Sequence, residues 1–106
     1  MTDAIQITTT TGDRGTAERI ATELVDRRLA ACVQISGPVD STYRWQEKIE
    51  TTEEWLCTIK ALAANYPAIE GLIKQIHPYD VPEILAVPVT AGSEAYLEWL
   101  RRESQG

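Results

Sequence analysis

The segment His77-Pro78-Tyr79-Asp80-Val81-Pro82-Glu83-Ile84-Leu85-Ala86-Val87-Pro88-Val89 limits what this chain can become more than any other stretch. Its prolines decide where a helix ends and where in a sheet a strand can sit. Upstream, Ile69, Leu72, Ile73 and Ile76 recur at the spacing of one helix face, and Pro67 suits a first helical turn, where its missing N–H would have had no partner. Pro78 disfavours helical angles at His77, so the helix stops there, and Pro82 prevents another from starting at once. From Ile84 to Val89 the residues are almost all apolar, which predicts a strand buried on at least one face. Pro88 lacks a ladder donor and places that strand at a sheet edge. His77, Tyr79, Asp80 and Glu83 are thereby gathered in a tight corner between helix and strand. The same residues also read as ordinary helix-stop chemistry, with His77 capping carbonyls and the others facing solvent.

The remaining elements follow in order. Ala4 to Thr10 alternates weakly and is rich in β-branched residues, predicting a strand. Thr11-Gly12-Asp13-Arg14-Gly15-Thr16 reads as a strand-to-helix loop with Thr16 as N-cap; it lacks the lysine and spacing of a phosphate loop. Ala17, Ile20, Ala21, Leu24, Val25 and Leu29 form a helical stripe. A strand from Ala31 to Ser36 bends or bulges at Gly37-Pro38 and resumes to Trp45. The chain turns at Gln46-Glu47 and returns through a strand over Glu54 to Leu62, with Trp55, Cys57, Ile59 and Ala61 on one face. Pivoting there pairs Cys57 with Ser36 and Cys32 with Ala61. Both thiols then share a face four positions apart, roughly 13 Å at about 3.4 Å per residue, unless the bulge reverses the parity. Glu94 to Glu103 makes a last helix with Tyr96, Leu97, Trp99 and Leu100 at helical spacing. The order is that of an α+β, ferredoxin-like βαββαβ sandwich with an extra C-terminal helix.

At 106 residues the chain, 1-106, is a single domain, and 43% hydrophobic with 25% charged residues is ordinary globular composition. A net charge of -6 opposes attraction to nucleic acid and to anionic membranes. No apolar run reaches membrane-span length and no signal-peptide pattern opens the chain, so the expected location is cytoplasmic. Two helices can cover only one sheet face, and apolar residues on both faces, with Trp45 and Trp99, predict self-association.

Leu29-Ala30-Ala31-Cys32-Val33, Ser41-Thr42-Tyr43-Arg44-Trp45 with Lys48-Ile49-Glu50, Ile59-Lys60, His77-Pro78-Tyr79-Asp80-Val81-Pro82-Glu83-Ile84 and Tyr96-Leu97-Glu98-Trp99-Leu100 together closely resemble the CutA family of divalent-cation tolerance proteins. The resemblance runs unbroken over almost the whole chain. It implies a PII-like homotrimer with hairpin strands reaching across subunits, and a role in tolerance of copper and other divalent cations. Animal relatives are linked to acetylcholinesterase assembly. The positions it marks here are Cys32, Trp45, Glu50, Lys60, His77, Tyr79 and Glu83. Glu47 departs from the family, which usually has glycine at that point of the hairpin tip.

Two functions are expected from these residues. In the first, copper or another divalent cation, not needed for folding, binds the soft donors Cys32 and His77, helped by Glu50, Asp80 or Glu83, in a site better completed between subunits than within one. Against it, Cys32 reads more readily as a small buried hydrophobe on a strand. The alternative is a PII-like signalling module in which Trp45, Glu50, Lys60, Tyr79 and Glu83 line an intersubunit cleft for a small anionic metabolite, although Lys60 also reads as an exposed strand lysine. No nucleophile with matched histidine and acid is apparent, so no enzyme is expected.

Overall fold

The alternating first segment forms β1, Ala4–Thr11, and is followed by α1, Arg14–Asp26. The long hairpin comprises β2, Ala30–Trp45, and β3, Lys48–Leu62. A short 3-10 turn leads into α2, Tyr66–Ile76, then β4, Leu85–Pro88, and α3, Glu94–Glu103. The structure, a computed structural model, describes residues 2–105. The strands make one antiparallel sheet in the order β2-β3-β1-β4, the ferredoxin-like arrangement expected from the element order.

One sheet face carries the main core. Ile5 and Ile7 of β1 and Cys57, Ile59 and Ala61 of β3 pack under Ala17, Ile20 and Leu24 of α1 and Ile69, Leu72 and Ile73 of α2. On the opposite face α3 covers one end, where Leu100, Leu97 and Trp99 meet Ala4, Ala31, Leu62 and Val89. The rest of that face lies open among the described residues, with rows Val87, Gln6, Lys60, Cys32 and Leu85, Thr8, Thr58, Gln34 running across it. The strand expected to be buried on one face is exposed along its whole length: Leu85 (64%) and Val87 (56%) lie on the open face, and Ala86 and Pro88 lie at the sheet edge beyond the core residues Ile7 and Ile5. Its edge position is as Pro88 predicts. No helix among the described residues is long and apolar enough to cross a membrane.

Three local expectations change. The cap of α1 is Asp13 rather than Thr16: the Asp13 carboxylate accepts from the Thr16 N–H and hydroxyl, both at 2.8 Å. The Thr16 N–H, followed by its hydroxyl, holds that carboxyl below its usual range. It also fills the helix N-terminus that a phosphate would need. The helix ends before Leu29, because Arg28 turns left-handed (φ 59°) and the Leu29 N–H reaches back to the Leu24 carbonyl. Finally, the bulge between Ser36 and Val39 reverses strand parity, so Cys32 pairs with Lys60 and Cys57 with Ile35. The thiols are thus on opposite faces, three positions apart.

The hairpin tip has Gln46 at φ 49° and Glu47 at φ 67°, the signature of a two-residue I′ turn. Glu47 adopts this left-handed conformation without being glycine, which costs about 1–2 kcal/mol. Glu47→Gly is expected to raise stability by about 0.5–1 kcal/mol after the entropy of glycine is subtracted. A denaturation midpoint that falls instead would show the tip to be held by side-chain contacts.

Candidate functional site

β4 pairs with β1 only from Ile5 to Thr8, leaving Thr9–Thr11 without a strand neighbour on that side. His77 takes the vacant place. Released from α2 into an extended conformation (ψ 133°), with its N–H still bonded to the Ile73 carbonyl, it turns its ring toward β1. There Nε2 lies 2.6 Å from the Thr10 carbonyl oxygen, and the Tyr79 N–H bonds Nδ1 at 3.2 Å. A backbone N–H only donates, so Nδ1 accepts and Nε2 carries the proton. His77 is 6% exposed. With both nitrogens engaged it serves as a structural brace for the corner rather than a cap on its own helix or a free metal donor.

The brace sets Tyr79. Its ring leans against His77 with centroids 4.6 Å apart, and its hydroxyl donates to Glu54 Oε2 at 3.0 Å. Burial, then the bond to Glu54, pushes the phenol's pKa up. Gly12 makes room for the ring tip, since a Cβ there would stand 3.0 Å from the Tyr79 hydroxyl oxygen.

Beyond Tyr79 opens a cleft of about 400 Å³, lined by Thr10, Tyr43, Trp45, Glu50, Glu54, Tyr79, Asp80, Val81 and Glu83. The register explains this convergence: Tyr43 pairs with Glu50, and Glu50 and Glu54 alternate onto the same face of β3, which the proline-bounded loop 78–84 overhangs. Four of the expected cleft residues, Trp45, Glu50, Tyr79 and Glu83, are therefore together. Lys60 is not among them. Trp45 pairs with Lys48, so Lys60 stands about 40 Å farther along β3, where its ammonium lies 5.7 Å from the Tyr96 ring centre beside α3. The lining has carboxylates at Glu50, Glu54, Asp80 and Glu83 and no basic side chain. Glu54 was not singled out in the sequence; parity with Leu56 and Thr58 was the available signal, but its burial depends on Tyr79.

The candidate metal donors are likewise separated. Cys32 is on the open sheet face opposite Lys60, whereas His77 braces Thr10, four residues along β1 from Gln6, the residue in Lys60's row. Among the described residues no three of His, Cys, Asp and Glu converge on one point. Burial raises the Cys57 thiol to about 11, while Cys32 is half-buried. A disulfide-exchange reagent near pH 8 is expected to leave Cys57 unreacted in the folded protein and to titrate it only after denaturation. Prompt reaction of Cys57 in the native state would mean that the core opens readily.

The family model for the CutA1 divalent ion tolerance protein matches residues 5–103. The chain belongs to the CutA1 family. It is 42% identical over 88 residues to the divalent-cation tolerance protein CutA of Thermus thermophilus, covering 83% of this chain and 85% of that one. It is 39% identical over 89 residues to human Protein CutA, covering 84% of this chain but only 50% of the human protein. The crystal structure of CutA from Xylella fastidiosa superimposes with a TM-score of 0.95 at 42% identity, over 98% of this chain and 100% of that one. Against this CutA1 framework, the cleft and its brace are built largely from the histidine-proline-tyrosine corner and the hairpin arm.

Proposed function

We propose that this member of the CutA1 family serves divalent-cation tolerance as a cytoplasmic, PII-like homotrimer that binds copper or another divalent cation at sites completed between copies. The observation that carries this reading is the open sheet face: Leu85 and Val87 are exposed there, and Ile49 (69%) protrudes from the hairpin arm. Covering that apolar surface with further copies removes it from water, the main driving force for association. Cys32 lies on the same face, so packing copies together adds the Cys32 thiols of further copies to the one each chain supplies, and thiolate is the side chain copper selects. His77 has no part in this site. Both cysteines are unpaired, which suits a reducing compartment. The role is one of binding rather than catalysis, since the sole histidine is held through both nitrogens.

Light scattering should give three times the 11.8 kDa chain mass, and copper(I) titration should show tight uptake by the wild type that Cys32→Ser loses. A monomer, or equal uptake by the variant, would sink this reading. A signalling module with a small ligand is the second reading, favoured by the cleft. Without Lys60, however, its lining supplies no positive charge for an anionic metabolite.

A further inference from the structure

Glu54 is 6% exposed, yet none of the ion pairs among the described residues includes it, or Glu50, Asp80 or Glu83. Its only hydrogen bond there is the one Oε2 accepts from Tyr79, so Oε1 has no protein partner. The oxygen left without a partner belongs to a side chain that lines a cleft, and a carboxylate with so little surface in water is stabilised by a cation placed there. What surrounds this one is a concave space of about 400 Å³, the size of a small-molecule site, walled by Tyr43, Trp45 and Tyr79.

We infer that the cleft binds a small organic cation, an ammonium or guanidinium compound, with its charge against Glu54 and its body against the aromatic walls. A divalent metal demands several oxygen ligands converging on one point at about 2–2.6 Å, and the acids here are spread around the walls instead. An organic cation needs the arrangement present: negative charge distributed over several ångströms, and aromatic faces whose quadrupoles attract a diffuse positive charge. Glu54 is the anchor because it is the acid removed from water, and Tyr79 both fixes that anchor and lines the wall. Glu50, Asp80 and Glu83 raise the local cation concentration at the rim. The site is separate from Cys32, so it stands or falls independently of copper binding.

Calorimetric titrations of the intact protein with tetramethylammonium and with arginine amide, at constant ionic strength, test this, with copper(II) titrated in parallel. Saturable binding of at least one organic probe is expected, weakened about 10- to 100-fold by Glu54→Gln, as for loss of a charged partner, and weakened by Trp45→Ala. Cys32→Ser should leave it unchanged. Glu54→Gln keeps an acceptor for the Tyr79 hydroxyl; circular dichroism and light scattering show whether it folds, and Trp45→Ala on the exposed arm decides the matter if it does not. No saturable binding of either probe to the wild type, undiminished binding by both cleft variants, or copper uptake that only Glu54→Gln abolishes would overturn the assignment.

Discussion

Gly37→Ala is expected to destabilise the protein by about 2–4 kcal/mol, read as a lower denaturation midpoint at fixed protein concentration. Gly37 sits at φ +147°, which side-chain-bearing residues scarcely adopt, and a Cβ there would be 3.1 Å from the Glu54 carbonyl oxygen and from Trp55 Cδ1. Strain of about 1–3 kcal/mol comes from the backbone alone. Relieving the contact pushes on β3 at Glu54, so stability and the cleft are affected together. A change below about 0.5 kcal/mol, the size of an ordinary surface substitution, would show that the bulge rearranges freely.

His77→Ala is expected to cost a comparable amount, about 2–4 kcal/mol, for a different reason. It strands the Thr10 carbonyl and the Tyr79 N–H at a buried corner, and each unsatisfied group costs about 1–3 kcal/mol less whatever water recovers. Amide exchange should then quicken around Tyr79. If stability is unaltered, the ring is not bracing β1, and a role in ligand binding for His77 would have to be reconsidered.

Much of the fold was legible because prolines and apolar spacing act locally. Pro78 ends α2 before His77, Pro88 lies on the edge strand, and Glu94–Glu103 forms a helix as its spacing predicts. The cysteines were not legible in the same way, since one bulge shifts the pairing of every residue beyond it by one position and so moves Cys32 to the other face. Lys60 could have been placed by counting along β3 from Lys48. Grouping it with Trp45 took two positions on one hairpin as neighbours when the strand carries them far apart.

For the candidate site, the sequence by itself determined its ingredients: a corner held by Pro78 and Pro82, an aromatic at Tyr79, and acids at Glu50, Asp80 and Glu83. Only the tertiary structure decided their roles. It spends one nitrogen of His77 on the Thr10 carbonyl of distant β1 and the other on the nearby Tyr79 N–H, and packs Glu54 beneath Tyr79, while Lys60 is removed to the far end of the sheet. The reason is range. Backbone preferences and side-chain periodicity act over a few residues of chain, whereas burial, hydrogen-bond partnership and charge environment depend on what other elements bring within a few ångströms.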